Sequence, residues 1–242
     1  MLERLFFELV EEMEDVLTQE RGDEFLDRVS KRYGLSHAAY LGVNLPFLPA
    51  GELFGVTTYC DKWAHRYVSK EYVNIDPIVR RGLGSIIPYD WSTTYTPVTP
   101  GRKLRNFLGE AQEFGIGRQG LSFPIHGLHG ETALFSINSH ASDDEWTKLK
   151  RNCMRDFQVL AYHFHNLVLD RENMEAKAGI HLTPRELECL RWSAAGKSSW
   201  ETGMILSISR STVDYHVDQA RVKLDSVTRT QAVAKAVRLN MI

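Results

Sequence analysis

The sequence predicts an α+β chain in two parts. The first is an α/β/α sandwich, a central antiparallel sheet with helices on both faces. The second is an all-α domain of four short helices containing a helix-turn-helix. Three observations carry this prediction. Helix-start signals and apolar stripes at helical spacing crowd into residues 181–242. Short apolar runs, broken by Gly- and Pro-containing turns, alternate with amphipathic stretches over residues 6–139. One long stripe then runs unbroken from Trp146 to Leu167. At 242 residues the chain has room for two domains.

In chain order, residues 6–18 read as a helix with Phe6, Val10, Met13 and Leu17 on one face. Asp23 opens a second, with Phe25, Val29 and Tyr33 as its stripe and Gly34 as its stop. Residues 38–43 and 53–59 read as strands around a loop holding Pro46 and Pro49. Residues 61–68 form a short helix, residues 75–82 another with Asp76-Pro77 at its start, and residues 86–91 a further strand. Residues 104–114 are helical and end at Gly115. Residues 120–125 and 133–139 are apolar strand-like runs. From Asp143 to about residue 170 a single helix of roughly 40 Å is expected. Its stripe of Trp146, Leu149, Cys153, Phe157, Leu160, Phe164 and Leu167 suits covering the sheet or meeting its twin in a second copy. Residues 171–179 lack an apolar stripe. The expected division is therefore a domain at 1–170, a linker at 171–180 and a domain at 181–242.

Composition narrows the class. Hydrophobic content of 43% and aromatic content of 10% are ordinary for a globular chain. No apolar run approaches the ~18 residues a membrane span needs, and the N-terminus lacks a basic stretch followed by an apolar core. Cys60, Cys153 and Cys189 are odd in number and far apart, which suggests reduced thiols, a cytoplasmic location and neither metal nor cofactor.

The C-terminal helices announce themselves. Thr183-Pro184-Arg185-Glu186 has the form of a capping box; residues 198–201 and 228–231 repeat the logic, and Ser209 caps the helix between them. Val213, Val217, Ala220 and Leu224 form one stripe, while Arg210, Ser211, Asp214, Tyr215 and Asp218 lie opposite. Only residues 206–208 remain for the turn, which places a helix-turn-helix at about 198–217. A small bundle without a DNA role satisfies the same spacing. Charge favours DNA: from Lys177 onward ten Lys/Arg face six Asp/Glu, a net of +4, while the remainder nets −6. Gly203 inside the second helix marks either a close helix contact or a weak helix.

Leu182-Thr183-x-x-Glu186-x-x-x-Leu190, Gly196-Lys197-Ser198, Ser209-x-x-Thr212-Val213-x-x-His216 and Lys223-Leu224 resemble the C-terminal domain of the LuxR family of bacterial transcription regulators. Within that motif Glu186, Leu190 and Gly196 are structural. By the resemblance the second helix of the motif enters the major groove. Some relatives carry Arg at outward positions where this chain has Asp214 and Asp218, which can accept from cytosine but repel phosphate. Lys197, Arg210, Arg221 and Lys223 are then the sources of nonspecific affinity, with Ser211 and Thr212 as donors to phosphate.

Tyr59, Trp63, Tyr67, Asp76 and Trp91 lie within thirty-three residues. Aromatics at such spacing form either core or binding site. Asp76 is either a helix cap before Pro77 or a buried acceptor that needs a donor. Trp63-x-x-x-Tyr67, Asp76-Pro77, Trp91, Gly120 and Pro124 resemble the ligand domain of LuxR-type receptors for N-acyl-homoserine lactones. The resemblance implies that Trp63 donates to the lactone carbonyl, Asp76 accepts from the ligand amide and Tyr59 donates to the acyl carbonyl. Ser136 supplies a further polar contact, Tyr67 and Trp91 wall the lactone, and Gly120 leaves room where a side chain would intrude. Val68, Ile78 and Val79 are expected to wall the acyl tail.

The leading expectation is therefore a ligand-gated, homodimeric quorum-sensing activator or repressor. It would bind an inverted-repeat promoter site in double-stranded DNA, with RNA polymerase as a further candidate partner, no membrane partner and no catalysis. Three alternatives remain. A lactone hydrolase needs metal-ligand spacing, and His126, His129, His163 and His165 do not supply it. A response regulator needs acidic residues after a first strand, where this chain reads as helix. A ligand-independent regulator of the same fold is not excluded by the sequence, since an intact pocket does not prove gating.

Overall fold

The computed structural model describes the chain except residues 1, 17–21, 50, 95–100, 128, 129 and 178, and except the side chains of residues 2–5, 14–16 and 172–177. The expected stripe position Leu17 and the turn residue His129 thus lie outside the described residues. Contacts divide the chain into compact units of residues 1–171 and 172–242.

The first unit holds α1 (Leu2–Val16), α2 (Gly22–Tyr33), β1 (His37–Val43), β2 (Leu53–Thr57), α3 (Asp61–Ser69) and α4 (Pro77–Leu83). It continues with β3 (Tyr89–Asp90), α5 (Arg102–Glu113), β4 (Gln119–His126), β5 (Thr132–Ser139) and α6 (Asp143–Lys177). The five strands form one sheet in the order β2-β1-β5-β4-β3, antiparallel at every pairing. This is the expected central sheet with helices on both faces.

Strand alternation sorts the two faces. Ala38 and Tyr40 of β1, Leu121, Phe123 and Ile125 of β4, and Ala133, Phe135 and Ile137 of β5 turn to one side. There they pack on Leu9 and Met13 of α1, Phe25, Leu26 and Val29 of α2, and Cys153, Phe157, Leu160 and Phe164 of α6. The long stripe of α6 therefore covers the sheet. The intervening residues, among them Leu41 and Leu134, face the opposite layer with Ile78, Val79, Tyr89 and Trp91.

Two expectations on elements need correcting. The strand expected at residues 86–91 shrinks to Tyr89–Asp90, and Ile86 and Ile87 are exposed. Tyr89 pairs with Ser122, so continuing the register would set Ile87 against Pro124, which has no N–H for a ladder. The long helix does not stop near residue 170 but runs to Lys177. Between those positions there is neither Gly nor Pro, and most of the residues are strong helix formers.

The second unit is α7 (Pro184–Ala194), α8 (Ser199–Leu206), α9 (Arg210–Lys223) and α10 (Arg229–Arg238). Thr183 and Ser198 close reciprocal capping boxes with Glu186 and Glu201. The third box is one-sided. Thr228 accepts from the Gln231 amide, but the Gln231 side chain accepts from Val227 rather than from the cap residue. Leu190, Ala220, Leu224, Ala232 and Ala236 make one buried cluster, and Cys189, Val213 and Val217 another.

Candidate functional site

The helical layer α3–α5 stands off the sheet and encloses a cavity of about 310 Å³, at the lower end of the volume range of small-molecule sites. Tyr59, Trp63, Tyr67, Val68, Asp76, Ile78, Val79, Trp91 and Ser136 all line it. Nine of the ten expected ligand residues, scattered over seventy-eight positions, thus meet around one space.

The tenth, Gly120, stands behind the wall rather than in it. A Cβ there would lie 2.4 Å from the Trp91 ring. The room that Gly120 leaves is filled by the indole, which lies against the β4 backbone and turns its other side to the cavity. Its Nε1 donates to Ser122 Oγ at 2.9 Å.

Asp76 is both a cap and a buried acceptor. Oδ1 accepts from the Ile78 amide at 2.8 Å as the N-cap of α4, while Oδ2 accepts from the Tyr67 hydroxyl at 2.9 Å. Burial pushes its carboxyl above the ordinary pKa, against the Tyr67, Ile78 and Val79 donors, which favour the charged form. A carboxylate has about four lone-pair sites, so Asp76 can still accept from a further donor in the cavity.

The aromatic wall is packed on itself. The Trp63 ring lies 6.1 Å from Phe107 in a stacked arrangement and 5.4 Å from Phe114, and Tyr59 leans on His37 at 4.8 Å. Such contacts hold the rings that present polar atoms.

Sequence reasoning missed several cavity residues: Ala39, Leu41, Gly55, Thr57 and Leu134 from the strands, and Phe107, Ala111 and Ile116 from α5 and beyond. One signal was available: Leu134 lies two residues from Ser136 on β5 and so shares its face. The rest depend on strand register, Ala39 and Leu41 pairing with Ser136 and Leu134, and Thr57 and Gly55 pairing in turn with Ala39 and Leu41. Fully buried Ser122 was missed too.

In the second unit, α8 and α9 are joined by a turn in which Ser207 takes φ +54°. Gly203 packs against that turn. A Cβ on it would sit 2.7 Å from the Ile208 carbonyl oxygen, so the close-contact reading of this glycine holds. Gly196, with φ +79°, ends α7 in a backbone region that L side chains avoid. Glu186 and Leu190 are buried.

On α9 the structure separates outward from tethered residues. Arg210, Ser211, Tyr215 and Asp218 are exposed, and Thr212 is half-buried beside its cap Ser209. Asp214 is half-exposed and tethered. Ser199 of α8 donates to its Oδ1, and Arg229 of α10 lies 3.8 Å away while donating to Ser199 and Ser193. The carboxylate joins three helices because α9 turns that edge toward α8. Lys223 is likewise tethered, donating to both oxygens of buried Glu186 at 2.8 Å. Although burial opposes it, Lys223 and Thr183 hold the Glu186 carboxyl below its ordinary pKa. Arg221 is shared between Asp218 and the Ser226 carbonyl. Lys197 and Arg210 keep the looser partners, Glu201 at 3.6 Å and Asp214 at 3.7 Å.

Among the described residues no three His, Cys, Asp or Glu side chains gather as metal ligands, and no helix is long and apolar enough to cross a membrane.

The chain matches two family models, that of the autoinducer binding domain over residues 19–168 and that of the bacterial regulatory proteins of the luxR family over residues 181–236. It is 35% identical over 184 residues to the transcriptional activator protein RaiR of Rhizobium etli, covering 76% of this chain and 75% of that one. It is 31% identical over 244 residues to the quorum sensing-dependent transcriptional regulator RpaR of Rhodopseudomonas palustris, covering 95% and 98%. The fold is shared with Escherichia coli SdiA at a TM-score of 0.65 and 21% identity, over 98% of this chain and 99% of that one.

Proposed function

The chain belongs to the luxR family of bacterial regulatory proteins, with an autoinducer binding domain ahead of the DNA-binding one, and from that premise we propose that its autoinducer is an N-acyl-homoserine lactone. One observation carries the proposal. A buried carboxylate, Asp76, faces an apolar cavity beside Trp63, Tyr59 and Tyr67. A lactone amide offers one N–H donor and several carbonyl acceptors. Asp76 takes the donor, and indole and phenol donors take the carbonyls. Ser136 makes the further polar contact, Trp91 and Tyr67 wall the head group, and Val68, Ile78 and Val79 meet the tail. No group in this set is arranged to activate water, so the ligand is bound without turnover.

The relatives named above are a transcriptional activator and a quorum sensing-dependent regulator. This chain acts in the same way, as a cytoplasmic quorum-sensing regulator that binds an inverted-repeat DNA site as a homodimer. Arg210, Ser211, Thr212, Tyr215, Asp218, Lys197 and Arg221 form the DNA face, and RNA polymerase is the partner that activation requires. Exposed Val159 and Tyr162 on α6 support a surface for the second copy.

A ligand that binds only the folded state stabilises it by RT ln(1 + [L]/Kd). Expression with and without a panel of acyl-homoserine lactones, followed by mass spectrometry of the purified protein, tests the reading. Recovery that depends on one lactone, retained intact at about one per chain, is the expected result. Equal recovery with nothing bound, or an unchanged lactone response in Trp63→Phe and Asp76→Asn, would sink it and favour the ligand-independent regulator. A hydrolysed lactone would favour the hydrolase.

A further inference from the structure

The cavity opens to solvent at one place. Of the residues that line it, only Gly55 and Val68 are exposed. Val68 is 75% exposed, whereas Trp63, Asp76 and Trp91 in the same lining are buried. Gly55 lies on β2, the edge strand of the sheet, and Val68 near the end of α3. The mouth therefore lies between the sheet edge and that helix.

Gly55 forms the lip on the sheet side. It pairs with Leu41 and so stands on the cavity face. A Cβ added there would meet only the Tyr40 carbonyl oxygen, at 3.9 Å, and its φ is one that L side chains adopt. Elsewhere in this layer packing forces glycine. A Cβ on Gly82 or Gly120 would lie 2.6 Å from Leu134 or 2.4 Å from Trp91. Neither conformation nor packing requires glycine at position 55, where an edge strand favours a larger residue. What the missing side chain leaves clear is the mouth.

The surface beyond the mouth stays apolar. Leu53, two residues along β2 and thus on the same face, is 41% exposed, and its cross-strand partner Val43 is half-buried. The polar groups Asp76, Trp63 and Tyr59 line the interior, while neither lip carries a polar side-chain atom.

We propose that the ligand's acyl tail leaves the cavity between Gly55 and Val68 and runs on over Leu53, so that the ligand is a long-chain acyl-homoserine lactone and Gly55 keeps its exit open. The proposal rests on the acyl-homoserine lactone reading above. A tail that meets an end wall must overpack it once it is too long. A tail with an exit loses nothing by growing; its added methylenes only gain less.

The probes are straight-chain acyl-homoserine lactones with acyl groups of about four to sixteen carbons. Each displaces a short-chain lactone from the purified protein, and bound ligand is read by mass spectrometry. In the parent, affinity should rise by up to about fourfold per added methylene while the tail fills the cavity, then level off without falling. Gly55→Val narrows the mouth from the sheet side, and valine suits a strand. It should bind the shortest members within about threefold of the parent and lose at least about tenfold for chains that pass the mouth. Val68→Phe narrows the mouth from the helix side and should impose the same cut-off. Should Gly55→Val not fold, Val68→Phe decides.

A parent whose affinity peaks and then drops more than about tenfold with length has an end wall, which overturns the exit and leaves the lactone reading standing. Parent-like binding of the whole series in the narrowed variants overturns the exit at these two residues. A parent that binds no acyl-homoserine lactone overturns the ligand reading, and the exit with it.

Discussion

The Tyr67 hydroxyl donates to Asp76 across 2.9 Å, and the same carboxylate caps α4 through the Ile78 amide. One buried acid thus holds α3 against α4 and faces the cavity between them. Burial raises its pKa, and the charged form is kept accessible by these donors.

A pH dependence of ligand binding follows from this pair. A ligand amide N–H favours charged Asp76, so affinity is expected to fall as pH drops through the raised pKa. Tyr67→Phe removes a donor to the charged form. The loss should then begin at higher pH, with affinity reduced about five- to tenfold at neutral pH. Asp76→Asn should bind weakly with a flat profile. Without ligand the sign reverses, because the native chain holds this proton more tightly than the unfolded one. The Asp76 contribution to stability is present at low pH and lost as pH rises past the raised value. Titration calorimetry over a pH series rising from the ordinary carboxylate range reads the first effect, and denaturant melts read the second. A parallel profile in Tyr67→Phe and the parent would contradict the coupling.

Gly120→Ala places a methyl group 2.4 Å from the Trp91 ring. The indole must leave its seat on β4 and move into the cavity. Expected are a loss of about 1–3 kcal/mol in stability and a drop in lactone affinity of at least about tenfold, measured by thermal melts with and without lactone. Parent-like binding would show that Trp91 does not wall the ligand.

Gly203→Ala sets two effects against each other. Helix propensity gains about 1 kcal/mol, but the new Cβ meets a backbone oxygen at 2.7 Å, which no rotamer can relieve. Overpacking of about 1–3 kcal/mol is expected to win, with weaker DNA binding because α8 and α9 are forced apart. A stabilised variant would restore the weak-helix reading.

Lys223→Ala tests whether that lysine is structural. Removing it leaves Glu186 buried without its partner, a cost of about 3 kcal/mol. The Glu186 carboxyl lies below its ordinary pKa, so its contribution is present at neutral pH and lost as pH falls through the lowered value. In Lys223→Ala, acid unfolding should therefore begin at higher pH. The salt dependence of DNA binding should keep the parent's slope, because no phosphate contact is removed. A slope reduced by about one would instead place Lys223 on a phosphate.

Much of this architecture was legible residue by residue. Thr183, Ser198 and Ser209 cap the helices they were expected to cap, since a cap and its amide partner lie three residues apart. Val213, Val217 and Ala220 are buried because helical spacing alone aligns them. The cavity residues Trp63 and Asp76 were singled out through a motif resemblance, and their meeting at one cavity could not be read from spacing.

By itself the sequence determined the elements, their caps and their buried faces, because each is written in residues two to four positions apart. Only the tertiary structure decided that Gly120 seats Trp91, that Ser122 links Trp91 to Ser136, and that Asp214 meets Ser199 and Arg229. Those contacts depend on strand register and helix crossing, which set distances between residues far apart in the chain and leave no local pattern in its order.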